Sequence, residues 1–147
     1  MRTYVLILGG AKAVAKMLQA QLPSEREIQL IKNFIILPLV LNVFSRDMKK
    51  VEQEHLFKTF KPYLAMYGQV LDKITKDITK VKRELVKAGI KVHDGARTKD
   101  ELIHDYLCRG YTGKFAMLWK TLAAEVEILM NHYLGVYEAE LIKNTLL

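Results

Sequence analysis

Two Glu-x-x-His pairs, Glu52 with His55 and Glu101 with His104, are the residues in this sequence best spaced to do chemistry. On a helix that spacing sets a carboxylate and an imidazole one turn apart on one face. Each half of a ferritin-like di-metal site is built this way, with two further glutamates bridging the metals. The acids Glu27, Glu52, Glu84 and Glu101 follow one another in the order such a bundle uses. The elements that would carry them argue against the site. Glu27 and Glu52 fall on one predicted helix, which would hold them about 37 Å apart unless the chain doubles back at Pro38. With ten glutamates in the chain, coincidence suffices to produce two such pairs. No metal is therefore assigned, and Glu52, His55, Glu101 and His104 stand as a lesser, ferritin-like alternative.

Other catalytic patterns fare no better. His93-Asp94 and His104-Asp105 have the composition of HD-type phosphohydrolase ligands, but one pair falls in a predicted loop and the other in a short helix. Ser24, Ser45 and Cys108 have no acid and base arranged near them to make a nucleophile. The opening run Tyr4 to Leu8, followed by Gly9-Gly10, has the outline of a strand and phosphate-binding turn. Aligned on Gly9, however, the remaining glycines of a dinucleotide fingerprint fall at Ala13 and Ala15, whose methyl groups obstruct the approach of a pyrophosphate. No second strand and helix follow closely. The sequence thus predicts a protein that is not an enzyme and holds no cofactor.

Charge is more informative. The formal net charge is +7. Between Lys49 and Lys99 thirteen Lys or Arg face six Asp or Glu, so this central segment holds the entire excess. Within it Lys73, Lys76, Lys80, Arg83 and Lys87 recur at spacings of three and four, drawing one positive ridge along a helix. Such a ridge suits phosphates of a nucleic acid or another polyanion, including an acidic protein. The alternative is a solvated face on which Asp72, Asp77 and Glu84 act as partial partners.

The elements that must position these residues read as helices. Ser24 with Glu27 is a capping box, predicting a helix to about Glu54 that is kinked or broken by Pro38. Pro62 suits the first turn of the next helix. There Leu64, Tyr67, Leu71, Ile74, Ile78, Val81 and Leu85 form one apolar seam, closed by Gly89. Thr98 with Glu101 reads as a second capping box opening a short helix to Cys108. Lys114 to Leu134 reads as a long amphipathic helix with Phe115, Leu118, Leu122, Val126, Leu129 and Tyr133 inward. The expected fold is therefore all-α, a single domain of residues 1–147. It is an irregular antiparallel bundle of four or five helices, with at most a short extended piece near Val5 or Ile90.

Three stretches, Ile36 to Asp47, Phe57-Lys-Thr-Phe-Lys-Pro-Tyr63 and Tyr106-Leu-Cys-Arg-Gly-Tyr111, resemble the small YhjD-like proteins of Bacillus and relatives, in the same order, over roughly residues 28 to 134. The resemblance implies a bacterial, mostly helical, intracellular protein and no catalytic role. It leaves residues 1–22 as a candidate N-terminal extension.

The apolar run Phe34 to Phe44 is too short, and too interrupted by Pro38 and Asn42, for a membrane span, and the single Cys108 favours a reducing compartment, so a cytoplasmic location is expected. The same run is apolar on all faces. Together with the tail Val136 to Leu147, it predicts surface left for a second copy. A homodimer through Ile36, Leu39, Val40 and Val43 is the primary expectation, that of a non-catalytic structural or binding protein. Nucleic-acid binding through the basic ridge is the runner-up.

Overall fold

Ser24 and Glu27 form the reciprocal cap that their spacing predicts. The Ser24 hydroxyl accepts from the Glu27 N–H at 3.2 Å, and the Glu27 carboxylate accepts from the Ser24 N–H at 3.3 Å. From this cap helix α1 runs Glu25–Glu54 in the computed structural model, which describes residues 11–15, 17 and 21–136. Pro38 lies inside α1 without ending it, so the predicted break does not occur. Its ring leaves the Phe34 carbonyl without an intrahelical donor, but Ile35, Ile36 and Leu37 before it and Val40 and Phe44 after it are all buried, and packing holds the helix through the defect.

Helix α2, Lys61–Ala88, carries proline in its first turn and ends at Gly89, whose φ of 70° is the left-handed cap that glycine adopts without a Cβ penalty. Of the seam on α2, Ile74, Val81 and Leu85 are buried against α1, and Leu64, Tyr67, Leu71 and Ile78 are half-buried. By length and mean hydropathy α1 is apolar enough to cross a bilayer. Seven of its side chains lie in the core of this chain, where α1 packs along α2 and against a third helix.

After Gly89 the chain departs from expectation. Strands β1 (Ile90–Val92), β2 (Ala96–Arg97), β3 (Glu101–Cys108) and β4 (Tyr111–Leu118) build an antiparallel sheet, followed by helix α3 (Trp119–Tyr133). β3 is central, with β4 on one edge and β1 and β2 in succession on the other. The fold is α+β, and the all-α bundle is corrected on this observation. Thr98 and Glu101 do make a capping-type contact, the Glu101 N–H donating to the Thr98 hydroxyl at 3.0 Å. Yet the Thr98 N–H donates to the Glu101 carbonyl at 2.9 Å, which closes a tight turn between β2 and β3 where a helix would have begun. Leu102, Tyr106 and Cys108 are buried at even positions with the half-buried His104 between them, the period of a strand and not of a helix. Arg109 and Gly110 both take positive φ, 47° and 88°, as a two-residue hairpin turn demands. The predicted helix from Lys114 therefore starts only at Trp119, and Leu118 is exposed.

One core joins the layers: Ile31, Ile36, Val40 and Phe44 of α1, Ile74 and Leu85 of α2, Ile90, Leu102, Tyr106 and Cys108 of the sheet, and Leu122 and Tyr133 of α3. Ile36 and Val40, expected at a dimer interface, are 1% and 0% exposed within this single chain. They are covered by the chain itself, and only the half-buried Leu39 and Val43 of that set keep residual surface. The glycine turn at Gly9-Gly10 and the tail from residue 137 lie outside the described residues.

Candidate polyanion-binding face

The heptad seam fixes which way α2 faces, and its opposite side carries the ridge. Lys73, Lys76, Lys80, Arg83 and Lys87 are all exposed, and among the described residues none of them forms an ion pair. Of the acids expected to compensate them, one is otherwise engaged, and two form no ion pair with the ridge although each lies within about a turn of one of its cations. Asp77 accepts the Tyr133 hydroxyl at 2.6 Å, and Asp72 and Glu84 make no ion pair to the ridge. The ion pairs that do form, Lys32 with Glu125 at 2.8 Å and Arg109 with Glu27 at 3.0 Å, lie elsewhere. Among the described residues the ridge is thus a set of ammonium and guanidinium groups with no ion-pair partner, about 21 Å long at the helical rise.

Shallow depressions run along it. Lys73 and Lys76 border one of about 400 Å³ with Asp77, His132 and Tyr133. Lys76, Lys80 and Arg83 border a second of about 350 Å³ with Thr75 and Thr79 on the outward side. The two threonine hydroxyls donate to the carbonyls one turn back, at 2.8 and 3.0 Å, and so turn their remaining lone pairs outward. Lys87 borders a third depression with Ser24 and with Arg26, a cation that the ridge periodicity does not include, and the carboxylates of Glu27 and Glu84 line it too. These are open surfaces suited to an extended ligand held by charge, not enclosed pockets for a small substrate.

The Tyr133–Asp77 bond anchors this face from behind. Tyr133 is buried at the end of α3, and burial together with the Asp77 carboxylate pushes its hydroxyl well above the ordinary phenol range. It therefore stays a donor, tying α3 to the middle of α2. Tyr133→Phe is expected to destabilise the protein by about 1–2 kcal/mol, since a half-buried carboxylate loses its donor. Urea denaturation of the variant measures this, and an unchanged midpoint would show that the bond contributes nothing.

The di-metal arrangement does not form. Glu52 is exposed near the end of α1, while His55 has left the helix as its left-handed cap at φ 47°. Glu101 and His104 lie on β3, where positions three apart point to opposite faces of the sheet. His93 and Asp94 lie in the loop between β1 and β2, as expected, whereas His104 and Asp105 lie on β3 and not on a helix, and His104 Nδ1 donates to the His93 carbonyl at 2.9 Å. Glu27 is held by Arg109, and among the described residues no group of three or more His, Cys, Asp or Glu is placed to hold a metal ion. Cys108 is fully buried and burial pushes its thiol pKa up, as expected of an inert core cysteine.

The sequence profile of the YhjD protein family matches residues 22–137. The chain belongs to the YhjD family. A relative, the uncharacterised protein YhjD of Bacillus subtilis (strain 168), is 26% identical over 111 residues, covering 76% of this chain and 92% of that protein. No solved structure matches the chain. The matched region contains every residue of the basic ridge and all three of the YhjD-like stretches.

This YhjD family member also carries an aromatic pair beyond the ridge. At the tip between α1 and α2, Phe57 and Tyr63 stack at 4.8 Å and are each 44% exposed, beside an exposed Leu56. The signal was present in Phe57-Lys-Thr-Phe-Lys-Pro-Tyr63, which interleaves aromatic and basic residues in the manner of stacking platforms on single-stranded nucleic acid.

Proposed function

We propose that this protein acts by binding and not by turnover, and that its partner is a nucleic acid contacted through phosphates by Lys73, Lys76, Lys80, Arg83 and Lys87. The observation that supports the reading is the absence, among the described residues, of any ion pair to these five exposed cations. Cations without such pairs keep their charge available to a polyanion. A stripe of about 21 Å runs past about six base pairs of B-form duplex, or a comparable length of single strand. Contacts made through phosphates carry no sequence information, so the binding expected of this face is sequence-tolerant.

The test is affinity for random-sequence duplex and single-stranded DNA across a salt series. Three to five phosphate contacts predict a slope of log affinity against log salt between about −3 and −4.5 for the duplex. Charge reversal at Lys76, Lys80 and Arg83 together is expected to flatten that slope by about 2 to 3 and to abolish measurable binding at physiological salt. No binding of the unaltered protein at low salt would sink the proposal. Equal binding to polyglutamate would move the partner class to acidic proteins.

A further inference from the structure

Strand β4 lies at the edge of the sheet with eight residues and one charge, Lys114. Its unbroken register with β3 runs from Cys108↔Tyr111 to Glu101↔Leu118. The Trp119 N–H donates to the Asp100 carbonyl at 3.0 Å, extending the same ladder by one step. In an antiparallel pair only alternate residues bond to a given neighbour. Tyr111, Gly113, Phe115 and Met117 therefore bond to β3, and the N–H and C=O groups of Thr112, Lys114, Ala116 and Leu118 face away from it. All four of these residues are exposed, and among the described residues no strand pairs with that edge. Protected edges carry several charges, a proline or a bulge. β4 carries one lysine and neither of the others.

We propose that this edge pairs antiparallel with the same edge of a second copy of the chain, about a two-fold axis at Phe115. The occupant and the register follow from the side chains. Centring on Lys114 sets two lysines directly opposite, which is unfavourable. Centring on Ala116 leaves only residues 114–118 overlapping before α3 begins. Centring on Phe115 aligns residues 112–118. Each Lys114 then faces Ala116 of the second copy, each Met117 faces Gly113 of the second copy and meets the Tyr106 ring that lies over that glycine, and the two half-buried Phe115 rings meet across the axis. About eight backbone hydrogen bonds close the edge. This dimer uses a surface unrelated to Ile36 and Val40 and does not depend on the nucleic-acid reading.

Light scattering after size exclusion over a concentration series tests the pairing, with charge substitutions that report the register. The unaltered chain is expected to reach twice its 16.9 kDa mass as concentration rises. Ala116→Lys places a lysine against Lys114 twice by symmetry, and is expected to weaken the dimer about tenfold. Ala116→Glu places an acid there instead and is expected to tighten it several-fold. Lys114→Glu combined with Ala116→Lys restores the opposite-charge pair and the dimer. Ala116 is exposed, and unchanged circular dichroism separates these effects from misfolding. A monomeric mass at every concentration overturns the proposal, as does an identical response to Ala116→Lys and Ala116→Glu.

Discussion

Phe44→Ala is expected to lower the stability of this protein by about 3–5 kcal/mol, the largest loss of any single substitution considered. Phe44 is 1% exposed and is the largest of the fully buried side chains. Its ring meets Tyr67 of α2 edge-on at 6.1 Å, so it fills the middle of the α1–α2 seam. Two effects add in the loss: the apolar area returned to water on unfolding shrinks, and a cavity remains because the surroundings relax only in part. Relaxation is restricted here because α1 and α2 are long and packed along most of their length, so neither moves toward the other at one point. A domain of this size has about 5–15 kcal/mol in total, and the variant should therefore be close to unfolding at physiological temperature. Denaturation in urea measures the loss. A change below about 1 kcal/mol would mean that the seam between α1 and α2 does not carry the fold.

The part of the fold legible in the sequence is the part built from local rules. The Ser24–Glu27 cap, Pro62 in the first turn of α2, the seam from Leu64 to Leu85 and the Gly89 stop each depend on residues within a turn or two of one another, and each is found where the spacing places it. The sheet was not legible for a related reason. Thr98 and Glu101 make the same side-chain contact at the start of a helix and in a β-turn, so the motif alone does not choose between them. What chooses is the alternation of Leu102, Tyr106 and Cys108, and the ability of Arg109-Gly110 to take two left-handed residues in succession. An eight-residue strand with a polar His104 and Asp105 in its middle presents that alternation weakly.

The basic ridge was legible because helical periodicity alone places it. Its lack of partners was not, because the fate of Asp77 depends on Tyr133, distant in sequence. The dimer surface illustrates the same limit. The all-round apolar stretch from Ile35 to Val43 correctly signals a need for cover on several sides, but cover from α2, α3 and the sheet is indistinguishable in one sequence from cover by a second copy.

Arg109→Ala is expected to cost more than Tyr133→Phe, because it removes a donor from four acceptors where the tyrosine removes one. The Arg109 guanidinium donates to both carboxylate oxygens of Glu27, at 3.1 and 3.0 Å, to the Ala88 carbonyl at 2.8 Å and to the Leu22 carbonyl at 3.1 Å. It thereby joins the N-terminus of α1, the C-terminus of α2 and the β3–β4 hairpin through one planar fork. Lysine has no such fork, so Arg109→Lys should recover little of the loss. Arg109→Gly separates side chain from backbone, because glycine relieves the positive φ while deleting the clamp. If Arg109→Ala, which keeps the cost of the positive φ, matches the unaltered protein in stability, the clamp contributes nothing.

The pH dependence gives an independent measurement. The Arg109 guanidinium, and then the Ser24 N–H, hold the Glu27 carboxyl below its ordinary value near 4.5, against the opposing effect of burial. A carboxylate whose pKa is lowered by folding stabilises the protein when ionised. Its contribution is complete above the unfolded pKa and is lost as pH falls through the lower folded one. Glu27→Gln removes that contribution. The stability gap between the unaltered protein and Glu27→Gln should therefore be constant near neutrality and close progressively below about pH 4.5. The absence of a gap near neutrality would show that Glu27 acts through its helix cap alone, since the glutamine amide can still accept from the Ser24 N–H, and a gap that persists unchanged into acid would show that the carboxylate charge is not its source.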